Sequence, residues 1–303
     1  DSRECLASVL RSTYTNFSVF VIDNDSGNNS LEHLITWFEK KNASHASTEA
    51  AQGSYVFFNR KQLNDYTGVS KLPKLIFVQN DENAGFAAGN NIVLKKLRDE
   101  DAYFWLLNPD MVVKMDTLEE LVQFSIRLPR EAIVGSVLQS YSEGHDLISY
   151  GGAKVNFLSA TVTHIQRPDC LRRLDYISGS SLFTHTSNLN RLGMLPEKYF
   201  LYWEETDWCY CAKLKGCVLY VCTRAICYDK GSTAIGKNFM ADYYYARNGL
   251  LFISKFRQKN IPIVLFFLGL RYLKRIVTGR WERARGIFKG TMDFFKMQPD
   301  DVK

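Results

Sequence analysis

The 303-residue sequence predicts an α/β fold whose sheet contains parallel members. Two patterns predict it: short apolar runs of strand length alternate with helical stretches, and the first runs each end in a polar turn. Composition agrees, since 46% hydrophobic and 23% charged residues with seven prolines exclude collagen-like, low-complexity and wholly disordered chains. At about 150 residues per domain the length allows one large domain with an appendage or two modest ones.

The elements follow in order. Residues 5–12 read as the end of a helix, and 17–22 (FSVFVI) as a buried strand stopped by the turn-forming Asp23-Asn24-Asp25-Ser26-Gly27. A helix is predicted over 31–41, then a polar, irregular stretch over 42–70 with a short strand at 55–58. A strand over 75–78 ends at Gln79-Asn80-Asp81, and a glycine-containing helix spans 85–97. The run YFWLL (103–107) is a strand broken by Asn108-Pro109-Asp110, and 117–128 is helical with Asp116 as its cap. The β-rich runs 132–138, 153–165 and 174–184 extend the same sheet. A helix over 203–214 ends at Gly216, and a strand over 218–222 follows. Beyond Gly231 the chain turns helical and basic, which sets a boundary near 236 between a domain over 1–235 and a helical region over 236–303. No internal repeat is visible. Sheets of this kind open with a buried strand before their first helix. This chain opens with the helix, so either the domain is N-terminally truncated, its first strand missing, or a neighbouring strand closes the edge.

The longest apolar stretch, 261–270, is half of the roughly 20 residues a bilayer-spanning helix needs. The opening Asp1-Ser2-Arg3-Glu4 is unlike a signal peptide. The net charge of +6 is uneven, because residues 255–289 hold ten Lys or Arg against the single Glu282. That concentration suits a phosphate-rich or membrane-surface partner, or a solvated helix face. Pro262 can open a helix whose apolar side, Val264, Leu265, Phe267 and Leu268, precedes Arg271, Lys274 and Arg275. Such a segment either lies in a membrane interface or packs on the core or a second subunit. Five of the seven cysteines fall between Cys209 and Cys227 without a C-x-x-C pair, which indicates reduced thiols in a cytosolic protein rather than a zinc site. The sequons at Asn16, Asn28 and Asn42 are then chance matches.

Ligands of such sheets bind beyond the carboxyl ends of the strands, here 23–26, 80–91 and 108–110. Asp110 lies two residues past a strand and can bind a divalent metal carrying a diphosphate, although Asn-Pro also simply initiates turns. NAGFAAGNN (83–91) can offer backbone N–H groups to a phosphate, or its glycines can serve tight packing. It is neither a dinucleotide fingerprint nor a P-loop. Glu204, Glu205 and Asp207 lie within one helical turn beside Trp203 and Trp208, a setting that raises a carboxylate's pKa toward that of a general base. Acidic residues there also serve the helix dipole alone.

Together VIDNDS (21–26), NAGFAAGNN (83–91), FWLLNPD (104–110), YISGSSLF (176–183), FLYWEETDWC (200–209) and YYYARNGL (243–250) resemble family 2 glycosyltransferases of GT-A fold, in particular a bacterial rhamnosyltransferase-like branch that builds surface polysaccharides. The resemblance covers roughly residues 5–290. It implies a Rossmann-like mixed sheet flanked by helices, and inverting transfer of a sugar from a nucleoside diphosphate donor, dTDP-rhamnose in that branch, to a saccharide or lipid-linked saccharide acceptor. By position, Asp23 resembles the residue that reads the base, and Gly85 and Asn90 the loop beside ribose and phosphates. Asn108 and Asp110 match the D-x-D motif, with Asp110 as ligand of Mg²⁺ or Mn²⁺. Glu205 resembles the catalytic base, supported by Glu204 and Asp207. Gly179 belongs to the segment lining sugar and acceptor, and Arg247 to a basic motif approaching phosphate. The family histidine that precedes G-S-[ST] is Tyr228 here, before Gly231-Ser232-Thr233, and an arginine frequent after the acidic segment is Cys211. The resemblance further implies a cytoplasmic protein, peripheral on the inner face of the cell membrane, with no nucleic-acid partner. Two competing readings are a sugar-phosphate nucleotidyltransferase, whose N-terminal Gly-rich signature is not found, and a non-catalytic nucleotide-sugar-binding or membrane-surface scaffold derived from the enzyme.

Overall fold

The computed structural model of the chain describes residues 1–43, 55–67, 73–231, 236 and 238–297. In chain order these form α1 (Ser2–Leu10), β1 (Val19–Asp23), α2 (Ser30–Ala43), β2 (Tyr55–Asn59), α3 (Arg60–Asp65), β3 (Leu75–Gln79), α4 (Gly85–Leu97), β4 (Tyr103–Leu107), β5 (Met111–Val113) and α5 (Thr117–Ser125). There follow β6 (Ile133–Ser140), β7 (Leu147–Tyr150), β8 (Gly152–Asn156), β9 (Thr161–His164), β10 (Tyr176–Ile177), β11 (Ser181–His185), α6 (Ser187–Leu192), α7 (Glu204–Leu214) and β12 (Leu219–Asp229). The helices α8 (Phe239–Arg257), α9 (Ile261–Val277) and α10 (Trp281–Lys296) end the described chain. The α/β class is as expected. The alternation of strand and helix persists through β4, and the β-rich middle is present.

The strands make three sheets rather than the single extended one the pattern suggested. In the first, parallel, β3 lies between β1 and β2, with Asp23 and Asn59 both in register with Gln79. Level registers bring the carboxyl ends of all three strands to one line. Central β3 is buried along LIFV, as a two-sided parallel strand must be. The second sheet runs β4-β11-β6-β12-β5, with β7 beside β6. It is mixed: β6 and β12 are parallel, whereas β11 is antiparallel to β4 and β6, and β5 to β12. The third, β10-β8-β9, is antiparallel. The division follows from hydrogen bonding: β1 and β4 are the end strands of their own sheets, and no described strand bridges them. Accordingly β1 is only half-buried at every position despite its VFVI sequence.

Two local expectations change. The strand read over 218–222 continues to Asp229, passing Thr223-Arg224 through a register shift between Cys222 and Ile226. A bulge of this kind lets a strand carry polar residues without ending. Asp116 makes no side-chain cap to α5, and one of its buried carboxylate oxygens has no partner. All seven cysteines are free thiols, and burial pushes Cys5 up to about 12 and Cys227 to about 11. Inert buried thiols are the expected result.

The main core joins the middle of the chain to its C-terminal helices. Ile133, Ile177 and Leu182 of the sheets, Trp208 and Cys209 of α7, and Leu250 to Ile253 of α8 belong to one apolar cluster. Helix α10 closes on α8 through Gly286 and Gly290. A Cβ added at Gly290 would sit 2.3 Å from the Tyr243 carbonyl oxygen, and one at Gly286 2.5 Å from that of Phe239. Both obstacles are backbone, so the helices would have to part. Gly290→Ala is therefore expected to lower stability by about 1–3 kcal/mol, read by urea denaturation. An unchanged midpoint would mean that this contact is looser than described.

Candidate active site

Four predicted segments converge at the ends of β1, β3 and β4, and the turn Ser178-Gly179-Ser180 joins the last of them to α7. The Asn108 N–H donates to the Ser180 carbonyl at 3.1 Å, so the Asn108-Pro109-Asp110 turn is bonded to one side of that turn. On the other side the Gly179 N–H donates to the Glu205 carboxylate. Gly179 sits close to its neighbours: a Cβ there would lie a tight 3.3 Å from the Phe86 ring and in contact, at 3.5 Å, with Glu205 Cγ. The same turn thus sets a carboxylate on each flank.

Glu205 reaches this place through a strained backbone. Phe200, Tyr202 and Trp203 have φ of 65°, 64° and 78°, a region that costs non-glycine residues about 1–3 kcal/mol each. Two side chains of α8 hold the segment down. The buried Asn248 amide donates to the carbonyls of Tyr199 (2.7 Å), Leu201 (2.7 Å) and Tyr202 (3.1 Å). Arg247 donates to the carbonyls of Lys198 (3.1 Å) and Tyr199 (2.9 Å), and its guanidinium lies over the Tyr244 ring at 4.9 Å. Arg247 is therefore occupied in positioning this segment, where a phosphate contact was expected of it. Gly85 supplies the opposing wall: the Phe86 N–H donates to the Phe200 carbonyl at 2.8 Å, and a Cβ on Gly85 would come within 2.2 Å of that oxygen. With φ of +90° and this contact, only glycine fits.

The acidic trio divides. Half-buried Glu205 stands at the Gly179 turn, and burial raises its pKa above the ordinary carboxylate value, against the opposing effect of the backbone N–H groups it accepts from. Glu204 points inward. One of its oxygens is buried without a hydrogen-bond partner, and burial followed by the charge of Glu205 pushes its pKa up to about 8. Asp207 is also interior, accepting from Tyr199 Oη at 2.7 Å and Lys255 Nζ at 2.6 Å. It ties α7 to α8 and cannot reach an acceptor in the cleft. Of the two kinds of support expected of it, structural or by acceptor contact, the ion pair with Lys255 is the structural one.

Around the donor-side segments an amide lattice fixes the loops. Asn24 Nδ2 donates to the Gly85 carbonyl (3.0 Å) and to Asn83 Oδ1 (3.1 Å), and Asn24 Oδ1 accepts from Nδ2 of buried Asn80 (2.8 Å). This lattice holds Asp23, which accepts from Ser26 Oγ, beside the start of α4. Asn90 donates to the Phe86 carbonyl of its own helix at 2.9 Å. Asn24, Asn80 and Asn248 carry much of the site's order and were not singled out from the sequence. Their signal was adjacency to Asp23, Asp81 and Arg247, which position alone cannot turn into a contact.

Asp110 has one buried carboxylate oxygen without a partner, and burial followed by the nearby charge of Asp229 raises its pKa. Lys230 turns to Glu4 and Asp1 of the N-terminal segment. Two neighbouring carboxylates, Asp110 with an orphaned oxygen and Asp229, fit Mg²⁺ or Mn²⁺, which take one or two carboxylates and complete their shell with water and phosphate oxygens. No group of three or more His, Cys, Asp or Glu able to hold a metal by themselves exists among the described residues. At the position of the expected histidine, the Tyr228 ring packs on His145 at 4.5 Å, and Ser232 and Thr233 lie outside the described residues.

Because Glu204 keeps its proton in the folded chain up to about pH 8 but loses it near 4.5 when unfolded, its contribution to stability is full below 4.5 and declines as pH rises through 8. Glu204→Gln is expected to flatten the fall of the melting temperature over that window. Parallel melting curves for variant and wild type would contradict the assignment.

Residues 60–187 match the family described as Glycosyl transferase family 2. No curated protein sequence matches the chain significantly. Among solved structures, S. aureus TarS is similar with 15% identity and a TM-score of 0.50, covering 99% of this chain and 78% of that one. The mannosyltransferase PcManGT from Pyrobaculum calidifontis, in complex with GDP-Man and Mn²⁺, has 12% identity and a TM-score of 0.51, covering 97% and 80%. GalNAc-T7 with UDP, GalNAc and Mn²⁺ has 13% identity and a TM-score of 0.52, covering 92% and 54%. At these identities the structural likeness is one of fold. The matched segment holds the Gly85, Asp110 and Gly179 stretches, in a mixed α/β frame of GT-A kind.

Proposed function

We propose that the chain is an inverting glycosyltransferase that moves a sugar from a nucleoside diphosphate to an acceptor hydroxyl, with Glu205 as general base. The observation that carries this is the Ser178–Ser180 turn, which bonds Glu205 on one flank and the Asn108–Asp110 turn on the other. A displacement needs a base on the side of the attacking hydroxyl and charge stabilisation on the side of the leaving diphosphate. Glu205 accepts the hydroxyl proton as the acceptor oxygen bonds to the anomeric carbon, the bond to the diphosphate breaks, and a single displacement inverts that carbon. The raised pKa of Glu205 makes it a stronger base than an exposed carboxylate.

Asp110 and Asp229 would hold a divalent cation, which would supply charge neutralisation for the diphosphate. Asp23, fixed beside the Asn24 lattice, would read the nucleotide base, with Gly85, Asn90 and Asn108 on the donor side. Residues 1–235 would carry the chemistry and 236–303 would form the basic helical part. The motif resemblance supports rhamnose as the sugar and a saccharide or lipid-linked saccharide of the cell envelope as the acceptor, encountered on the cytoplasmic side.

Glu205→Gln is expected to cut transfer by about 10²–10⁴-fold while leaving donor affinity nearly unchanged. Wild-type transfer should rise with pH through a value above the ordinary carboxylate range, because the base works only after losing its proton. Asp110→Ala should instead weaken donor binding in the presence of Mn²⁺ and leave metal-free binding unchanged. Full activity of Glu205→Gln in a product assay would remove the base assignment, and donor hydrolysis absent in every form would favour a non-catalytic scaffold.

A further inference from the structure

Helix α9 presents an apolar face that nothing among the described residues covers. Ile263, the adjacent Phe266 and Phe267, Leu270, Leu273 and Val277 recur at steps of about one turn, and all are exposed, Phe266 at 62% and Val277 at 85%. The expected apolar side is corrected here, since Val264 and Leu268 are its core-facing residues. Trp281 continues the exposed apolar surface beyond the helix end at 60%.

Charge identifies what covers this face. On the protein side of the helix the cations are occupied: Arg275 and Arg283 pair with Asp242, and the half-buried Arg271 lies over the Tyr245 ring at 5.3 Å. Lys274, on the exposed face three to four residues from Leu270 and Val277, makes no ion pair among the described residues, nor do Lys259 before the helix and Arg280 after it. The unpaired cations thus rim the apolar face, and residues 255–289 hold only one acid. Self-association across a two-fold would set these cations near their own copies. An anionic bilayer surface instead meets both the apolar stripe and the rim, with tryptophan at the level of the headgroups. Seventeen residues reach about 25 Å along a helix, and no described helix is long and apolar enough to cross a membrane.

We propose that α9, with Trp281, lies in the plane of an anionic membrane leaflet and seats the protein there. The inference stands on this face and not on the transfer chemistry. The test is flotation of the full chain with vesicles of phosphatidylcholine containing about a third phosphatidylglycerol, against phosphatidylcholine alone. Wild type should float with the anionic vesicles, and Phe266→Glu/Leu270→Glu should lower the bound fraction by about tenfold or more, with its melting temperature and donor binding unchanged. Lys274→Glu/Arg280→Glu should bind several-fold less at low salt, a difference that shrinks as salt rises. Absence of wild-type flotation would overturn the proposal, as would equal flotation of the Phe266/Leu270 variant. A concentration-dependent dimer that this variant dissolves, without vesicle binding, would overturn it in favour of a self-interface.

Discussion

The site depends on holding the backbone of residues 200–203 in a conformation that Phe200, Tyr202 and Trp203 do not favour. Left to itself the segment would relax, and α7 would begin elsewhere with its carboxylates pointing in other directions. Asn248 opposes that relaxation with three hydrogen bonds from one buried amide, a satisfied donor set that has no equivalent in solvent-exposed capping. Gly85 opposes it from the far side by backbone contact. Two distant stretches, the α4 start and the middle of α8, therefore fix the direction of Glu205. This gives the C-terminal helices a part in the site even though none of their side chains is required at the reacting atoms.

Burial then sorts the acidic residues by their company. Asp207 meets Lys255 and a tyrosine hydroxyl, so its charge is compensated inside the protein. Glu204 has no cation and an unpartnered oxygen, and holds its proton. Glu205 and Asp110 lie between these extremes, desolvated enough for raised pKa values yet still at the cleft. Four carboxylates that look interchangeable in composition are given separate properties by which helix face or strand end they occupy.

Much of the frame was legible in the sequence. The helix over 85–97 and the strand over 103–107 have the expected bounds, because glycine starts the first and an apolar YFWLL run between polar turns leaves no alternative to the second. The far half of β12 was not legible, since Thr223-Arg224 looks like a strand end unless a bulge is known to lie there. Nor was the division into separate sheets, which depends on pairings that no local pattern encodes. For the site, the residues Gly85, Asp110, Gly179 and Glu205 could be marked from their motifs. The inward turn of Asp207 and the occupation of Arg247 could not, because which way a side chain leaves a helix is decided by its partners on another helix. The same holds for α9, where period alone does not tell the core face from the free one.

The central claim is that the converging turns form a donor site for a nucleoside diphosphate sugar assisted by a divalent cation. Ligand that binds the folded state raises the melting temperature by mass action, so the claim can be tested without an acceptor. A panel of nucleoside diphosphate sugars, each scanned with Mn²⁺ and with EDTA, should give one donor class that stabilises the chain only with the metal. A flat response to every donor under both conditions would contradict the account.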